Sequence, residues 1–138
     1  MTLNRHGTPR RVRVFTIDDN EEFLRAIEFL LKLDPRLCVL NGARWDQNGL
    51  GRAARLQADL VLMDVAAPIR RGVDAIRQVK ALPHAPHVIV LTLNDQADYR
   101  RASISAGADG FISKSQVGRQ LPPMIRSLFP DVFEKRTL

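Results

Sequence analysis

Cysteine is almost missing from this chain. Cys38 is the only one among 138 residues, so no disulfide can close within it. Its place in an apolar run marks it as small core filler. Long apolar runs are missing too, so no segment is expected to cross a bilayer. The opening MTLNRHGTPRRVRV lacks the apolar stretch of a secretory signal. A cytoplasmic home is the expectation from these absences. The three histidines, His6, His84 and His87, have no metal-ligand spacing. Internal repeats and low-complexity segments are absent. Nothing after residue 130 can form a helix-turn-helix, so this chain alone is not expected to read DNA.

A net charge of +6 suits nucleic acid or another acidic partner, but its distribution weakens that idea. Arg5, Arg10, Arg11 and Arg13 stand in the first thirteen residues without an acid among them. The rest of the chain is close to neutral. The sequence therefore reads as a basic, solvated tail over 1–10, one domain over 11–130, and a tail or linker stub over 131–138.

Within that domain two kinds of segment alternate. RVRVFTI (11–17), LCVLNGA (37–43), DLVLMD (59–64), HVIVLTL (87–93) and GFIS (110–113) read as strands. Helices are predicted between and after them, over 20–33, 47–57, 72–82, 95–106 and 116–129. Asp19 or Asn20 is placed to cap the first, and Glu21 and Glu22 suit its first turn. Gly107 is placed for a left-handed turn at the end of the fourth. Pro122-Pro123 predicts a kink or a restart in the fifth. Strand followed by helix, five times, with strands apolar on both faces, means an α/β fold. The expected form is a doubly wound, flavodoxin-like (βα)5 sheet in the order 2-1-3-4-5.

Ligands bind such a sheet beyond the carboxyl ends of its strands, at the switch point. The first strand ends in Asp18-Asp19, and the third ends in Asp64. Three converging carboxylates repel one another, and a divalent cation offsets that repulsion. Mg²⁺ suits the place, since it takes one or two carboxylates and keeps several waters. Thr92 ends the fourth strand and Lys114 follows the fifth. Both are expected to face the same pocket.

This set resembles the receiver domain of bacterial two-component response regulators. The resemblance rests on Asp18-Asp19, on Asp64 with Pro68 and Gly72, on Thr92, and on AGADGFISK (106–114) with Phe111 and Lys114. It covers roughly residues 11–130. It implies that Asp64 accepts a phosphoryl group from a sensor histidine kinase or a histidine phosphotransfer protein. It implies Mg²⁺ on Asp18, Asp19, Asp64 and the backbone carbonyl of Ala66. It gives Thr92 and Lys114 to the phosphoryl group and makes Phe111 an aromatic that turns inward with Thr92. The implied chemistry is confined to the domain's own phosphorylation and dephosphorylation, so no enzyme acting on another substrate is expected. An output partner and a phosphorylation-dependent homodimer also follow from the resemblance.

Some positions depart from the family pattern. Leu93 stands where a small residue is common, which predicts narrowed access to Asp64. Phe111 has no hydroxyl, so its rotation is read through shape alone. Two rival readings are opposed by the residues themselves. A scaffold working without phosphorylation is opposed by the intact set of site residues. A small Mg²⁺-dependent aspartyl phosphatase is opposed by the Asp-Asp-Asn that ends the first strand, where Asp-x-Asp is needed.

Overall fold

The computed structural model describes residues 3, 7, 9–44, 47–64, 69–93 and 96–134. Five strands form one parallel sheet: β1 (Val12–Ile17), β2 (Leu37–Val39), β3 (Leu60–Met63), β4 (His87–Thr92) and β5 (Gly110–Ser113). Their order is β2-β1-β3-β4-β5, as the alternation predicts. The helices are α1 (Glu21–Lys32), α2 (Gln47–Arg55), α3 (Ile69–Lys80), α4 (Ala97–Ser105), α5 (Val117–Leu128) and a short α6 (Pro130–Phe133).

Strand side chains alternate between two cores. Phe15, Ile17, Val61, Met63, Val88, Val90 and Phe111 pack with residues of α2, α3 and α4. Val12, Val14, Leu60, Leu62, Ile89, Leu91 and Ile112 pack with α1 and α5 on the other face. The central strand β3 is buried along its whole length, which explains why LVLM reads as an unbroken apolar run.

Local signals set most helix ends. The Asn20 side chain accepts the Phe23 N–H at 3.0 Å and caps α1, so of the two candidate caps it is Asn20 that serves. Gly107 has φ of +113°, the left-handed turn expected after α4.

Three expectations need correction. Helix α3 begins at Ile69, so Gly72 lies inside it. Strand β2 ends at Val39, and only a single bridge, Ile17 to Ala43, continues its pairing. Helix α5 does not restart at Pro122; it stays helical through both prolines. Buried Val117, Leu121 and Ile125 fix the helix to the sheet on both sides of them. Gly118 and Arg119, whose carbonyls lose their intrahelical partners, are exposed to water.

Of the N-terminal arginines, Arg10, Arg11 and Arg13 are not simply solvated, and Arg5 lies outside the described residues. Arg13 donates to the Leu56 carbonyl from Nε and Nη2, at 3.0 and 2.8 Å. Arg11 donates to the carbonyls of Pro35 and Leu37, both at 2.9 Å. Arg10 pairs with Asp59 at 3.7 Å and with Asp131 at 3.2 Å, which ties the start of the chain to α6. A run of arginines without acids looks like a tail because the carbonyls and distant acids that receive it leave no mark nearby in sequence.

Ile76 is fully buried and Phe29 is 71% exposed. Ile76→Ala is expected to cost about 2–5 kcal/mol. Phe29→Ala should stay within about 0.5 kcal/mol of the parent. Urea titration of both variants checks the contrast.

Candidate functional site

The site begins with strand register. Ile17 on β1 is paired with Met63 on β3, so the next residues, Asp18 and Asp64, leave neighbouring strand ends side by side. Asp64 donates its backbone N–H to the Ile17 carbonyl at 2.8 Å, which fixes that juxtaposition. On the other flank Thr92 pairs with Ser113, and Lys114 follows at once as the first residue of a 3-10 turn, Lys114–Gln116. A lysine leaving there is long enough to reach back over β4.

It reaches both acids. The Lys114 ammonium lies 2.7 Å from Asp18 Oδ2 and 2.8 Å from Asp64 Oδ2. The side chains of Lys114 and Asp18 are each only 7% exposed. The other oxygen of Asp18 accepts the Asn20 N–H at 2.8 Å. The Phe23 ring, on the first turn of α1, covers the ammonium at 4.1 Å from its centroid. Asp19 is half-buried beside them.

The electrostatics show an excess of negative charge. Burial pushes the Asp64 carboxyl above the ordinary range. Lys114 pulls it down, while the charges of Asp18 and Asp19 push it further up. Lys114 is pulled down by burial, but its hydrogen bonds and charge pairing with Asp18 and Asp64 outweigh that and raise it. One ammonium thus serves two carboxylates, with a third close enough to matter.

Thr92 and Phe111 are both buried, at 2% and 4% exposure, but on the other face of the sheet. Thr92 continues the row of Val88 and Val90, which belongs with Phe111 to the core under α2, α3 and α4. Phe111 is already turned inward, its ring edge-on to Tyr99 at 5.3 Å and 88°. Lacking a hydroxyl, it leaves no polar group unsatisfied there. Leu93 is 80% exposed.

The carbonyl of Ala66, and Pro68, lie outside the described residues. Among the described residues, no three acids, histidines or cysteines stand together as a metal site. The pair Asp18 and Asp64 still fits a hard divalent cation. Mg²⁺ needs only one or two carboxylates with water and backbone oxygen, and these two carry charge that Lys114 alone does not offset.

Phe23 is the site residue that the sequence reading missed. Phe23 falls on the apolar stripe of α1 and reads as core. Its position three residues after the cap, on the turn next to Asp18, was the available signal.

Lys114→Met would leave Asp18 and Asp64 facing each other without a counter-charge. The expected loss of stability is about 3–5 kcal/mol near neutral pH. That loss should shrink as pH falls through the raised pKa of Asp64, because the protonated acid no longer repels its neighbour. In the parent, the lysine's own contribution is complete below its ordinary value of 10.5 and is lost as pH rises through the raised folded value. Urea unfolding of both proteins across pH checks each sign.

The description "Response regulator receiver domain" matches residues 14–126. The protein-glutamate methylesterase/protein-glutamine glutaminase of Symbiobacterium thermophilum is 30% identical over 106 residues, covering 76% of this chain and 29% of that protein. The transcriptional regulatory protein DegU of Brevibacillus brevis is 24% identical over 112 residues, covering 81% and 48%. The chain thus spans less than half the length of these relatives. Among solved structures, a CheY-like receiver domain protein of Methanospirillum hungatei superposes with a TM-score of 0.76 at 22% identity, covering 88% of this chain and 95% of that one. The response regulator domain of Thermotoga maritima CheB gives 0.68 at 23% identity, covering 93% and 100%. These structures share the fold. The matched span contains the strand ends, the acid pair, Asp64 and Lys114, and by that match the chain belongs to the response regulator receiver domain family of two-component signalling.

Proposed function

We propose that Asp64 is the phosphoacceptor of this receiver. The reading rests on one observation: the Asp64 carboxylate shares the buried Lys114 ammonium with Asp18 at the open end of the sheet. Asp64 keeps 19% of its side chain exposed, so a donor can reach it. Burial and neighbouring charge make it more basic than an ordinary aspartate, which favours its bonding to an electrophile.

An Asp64 oxygen attacks the phosphorus of a phosphohistidine on a sensor histidine kinase or histidine phosphotransfer protein. An O–P bond forms, the N–P bond breaks, and its electron pair returns to the imidazole. Lys114 stands ready to neutralise charge on the transferred oxygens. Thr92, buried at the end of β4, supplies a hydroxyl on the α4 side. Mg²⁺ would be held by Asp19, Asp64 and the Ala66 carbonyl, with Asp18 directly or through water. When bound it supplies charge neutralisation and orientation of the phosphoryl oxygens.

The partner that delivers the group would meet the open strand ends and the exposed edge of α1. What receives the signal is an output partner whose identity nothing in this chain specifies, with a phosphorylation-dependent homodimer as one form of output. DNA binding is not assigned to this chain. No described helix is long and apolar enough to cross a membrane, and a cytoplasmic site of action is part of the proposal.

Incubation with acetyl phosphate and Mg²⁺, followed by intact mass, tests the reading. One added phosphoryl group is expected, absent from Asp64→Asn and from an EDTA control. Leu93→Ala is expected to take it up faster than the parent if Leu93 narrows access to Asp64, and an unchanged rate would contradict that narrowing. Failure of the folded parent with both acetyl phosphate and a cognate kinase would leave the unphosphorylated scaffold as the working reading.

A further inference from the structure

Strand β2 is an edge of the sheet, next to β1 alone. The Arg36 carbonyl accepts the Val12 N–H at 2.9 Å, and the Leu40 N–H donates to the Val14 carbonyl at 2.8 Å. Alternate residues of a parallel strand turn their backbone groups to opposite sides, so Leu37 and Val39 turn theirs to the open edge. At Leu37 the chain fills that edge itself. Its N–H donates to the Asp34 carbonyl at 3.1 Å, and its carbonyl accepts Arg11 Nη2 at 2.9 Å. Beyond Val39, the Asn41 carbonyl accepts Arg52 Nη2 at 3.2 Å. Val39 lies between these two capped positions, with its N–H and carbonyl facing outward.

A groove runs beside it, between β2 and α2. It measures about 370 Å³ and is lined by Val39, Leu40, Asn41, Arg52, Arg55 and Leu56. The Val39 side chain packs on the α1 and α5 face, so what Val39 gives the groove is backbone. Leu40 and Leu56, partly buried against the opposite core, give it an apolar floor. Arg52 is held in the wall by the Asn41 carbonyl and by the Phe15 ring, 5.6 Å from its guanidinium. Arg55 is exposed. No acid lines the groove, and α2 contains none.

An open strand edge is a template for another strand. Here the groups flanking it are guanidinium ions, which repel a basic strand and pair with carboxylates. A phosphate backbone would satisfy the arginines, but phosphate brings no donor to the Val39 carbonyl and no apolar group to the floor. An acidic peptide brings all three. We infer that the β2 edge and the α2 groove form a docking site for an extended acidic segment of a partner protein. Its backbone pairs with Val39, an apolar side chain rests on Leu40 and Leu56, and carboxylates meet Arg52 and Arg55. This goes beyond the phosphoacceptor reading and stands without it.

The probe is a capped heptapeptide, Thr-Glu-Thr-Val-Thr-Glu-Thr, which as a strand presents Glu, Val and Glu on one face. It is titrated into the nitrogen-labelled, unphosphorylated chain and followed by NMR. Shifts are expected at the amides of Val39, Leu40 and Asn41 and at the Arg52 and Arg55 side chains, with half-saturation below about 1 mM. Lysine in place of both glutamates should weaken binding at least about tenfold, and so should Arg55→Glu, an exposed change that leaves the rest of the spectrum in place. N-methylation of the three central peptide residues removes their donors and should abolish the shifts. No shift at these residues with the acidic peptide would overturn the inference. Equal binding of the lysine or N-methylated peptide would overturn it too. A single-stranded DNA oligonucleotide that occupies the groove more tightly would reassign it to nucleic acid and overturn it as well.

Discussion

One ammonium held between two carboxylates organises the end of this sheet. Lys114 meets Asp18 at 2.7 Å and Asp64 at 2.8 Å, with the Phe23 ring over it. Each of these charges is costly to remove from water, and only their mutual pairing makes the burial tolerable. The pairing is incomplete, because the acids outnumber the lysine. Asp64 consequently sits above the ordinary carboxylate range. This end of the sheet therefore combines surplus negative charge with one partly exposed carboxylate. The strand register supplies the geometry, since pairing of Ile17 with Met63 leaves the two acids no other place to go.

The alternation of strand side chains divides the work. Asp18, Asp64 and Lys114 continue the rows that face α1 and α5, while Thr92 and Phe111 continue the rows that face α2, α3 and α4. Charge is gathered over one face of the sheet, and the aromatic contacts that hold α4 lie on the other.

Much of this was legible in the sequence because the signals are local. Strands show as short apolar runs, and the acids stand at their ends. Asn20 and Gly107 mark helix ends through their own backbone chemistry. What was not legible depends on partners far along the chain. Helix α5 survives Pro122 and Pro123 because Val117, Leu121 and Ile125 are buried, and no local rule reports that. Arg10 looked solvated until Asp59 and Asp131 were placed beside it. Phe23 reads as an ordinary apolar position because periodicity gives its face but not its neighbour. The resemblance to receivers supplied roles for Asp64, Lys114 and Thr92. For Phe111 it supplied an inward rotation, and in this structure the ring is already inside.

The central claim is that Asp64 carries the unrelieved charge of the Lys114 clamp. Site-resolved carboxyl titration of Asp64 by NMR, in the parent and in Lys114→Met, tests it most directly. The account predicts a parent pKa above the ordinary aspartate value of 3.8, and a higher one still once the ammonium is gone. An Asp64 that titrates at or below the ordinary value, or that is unmoved by loss of Lys114, would contradict it.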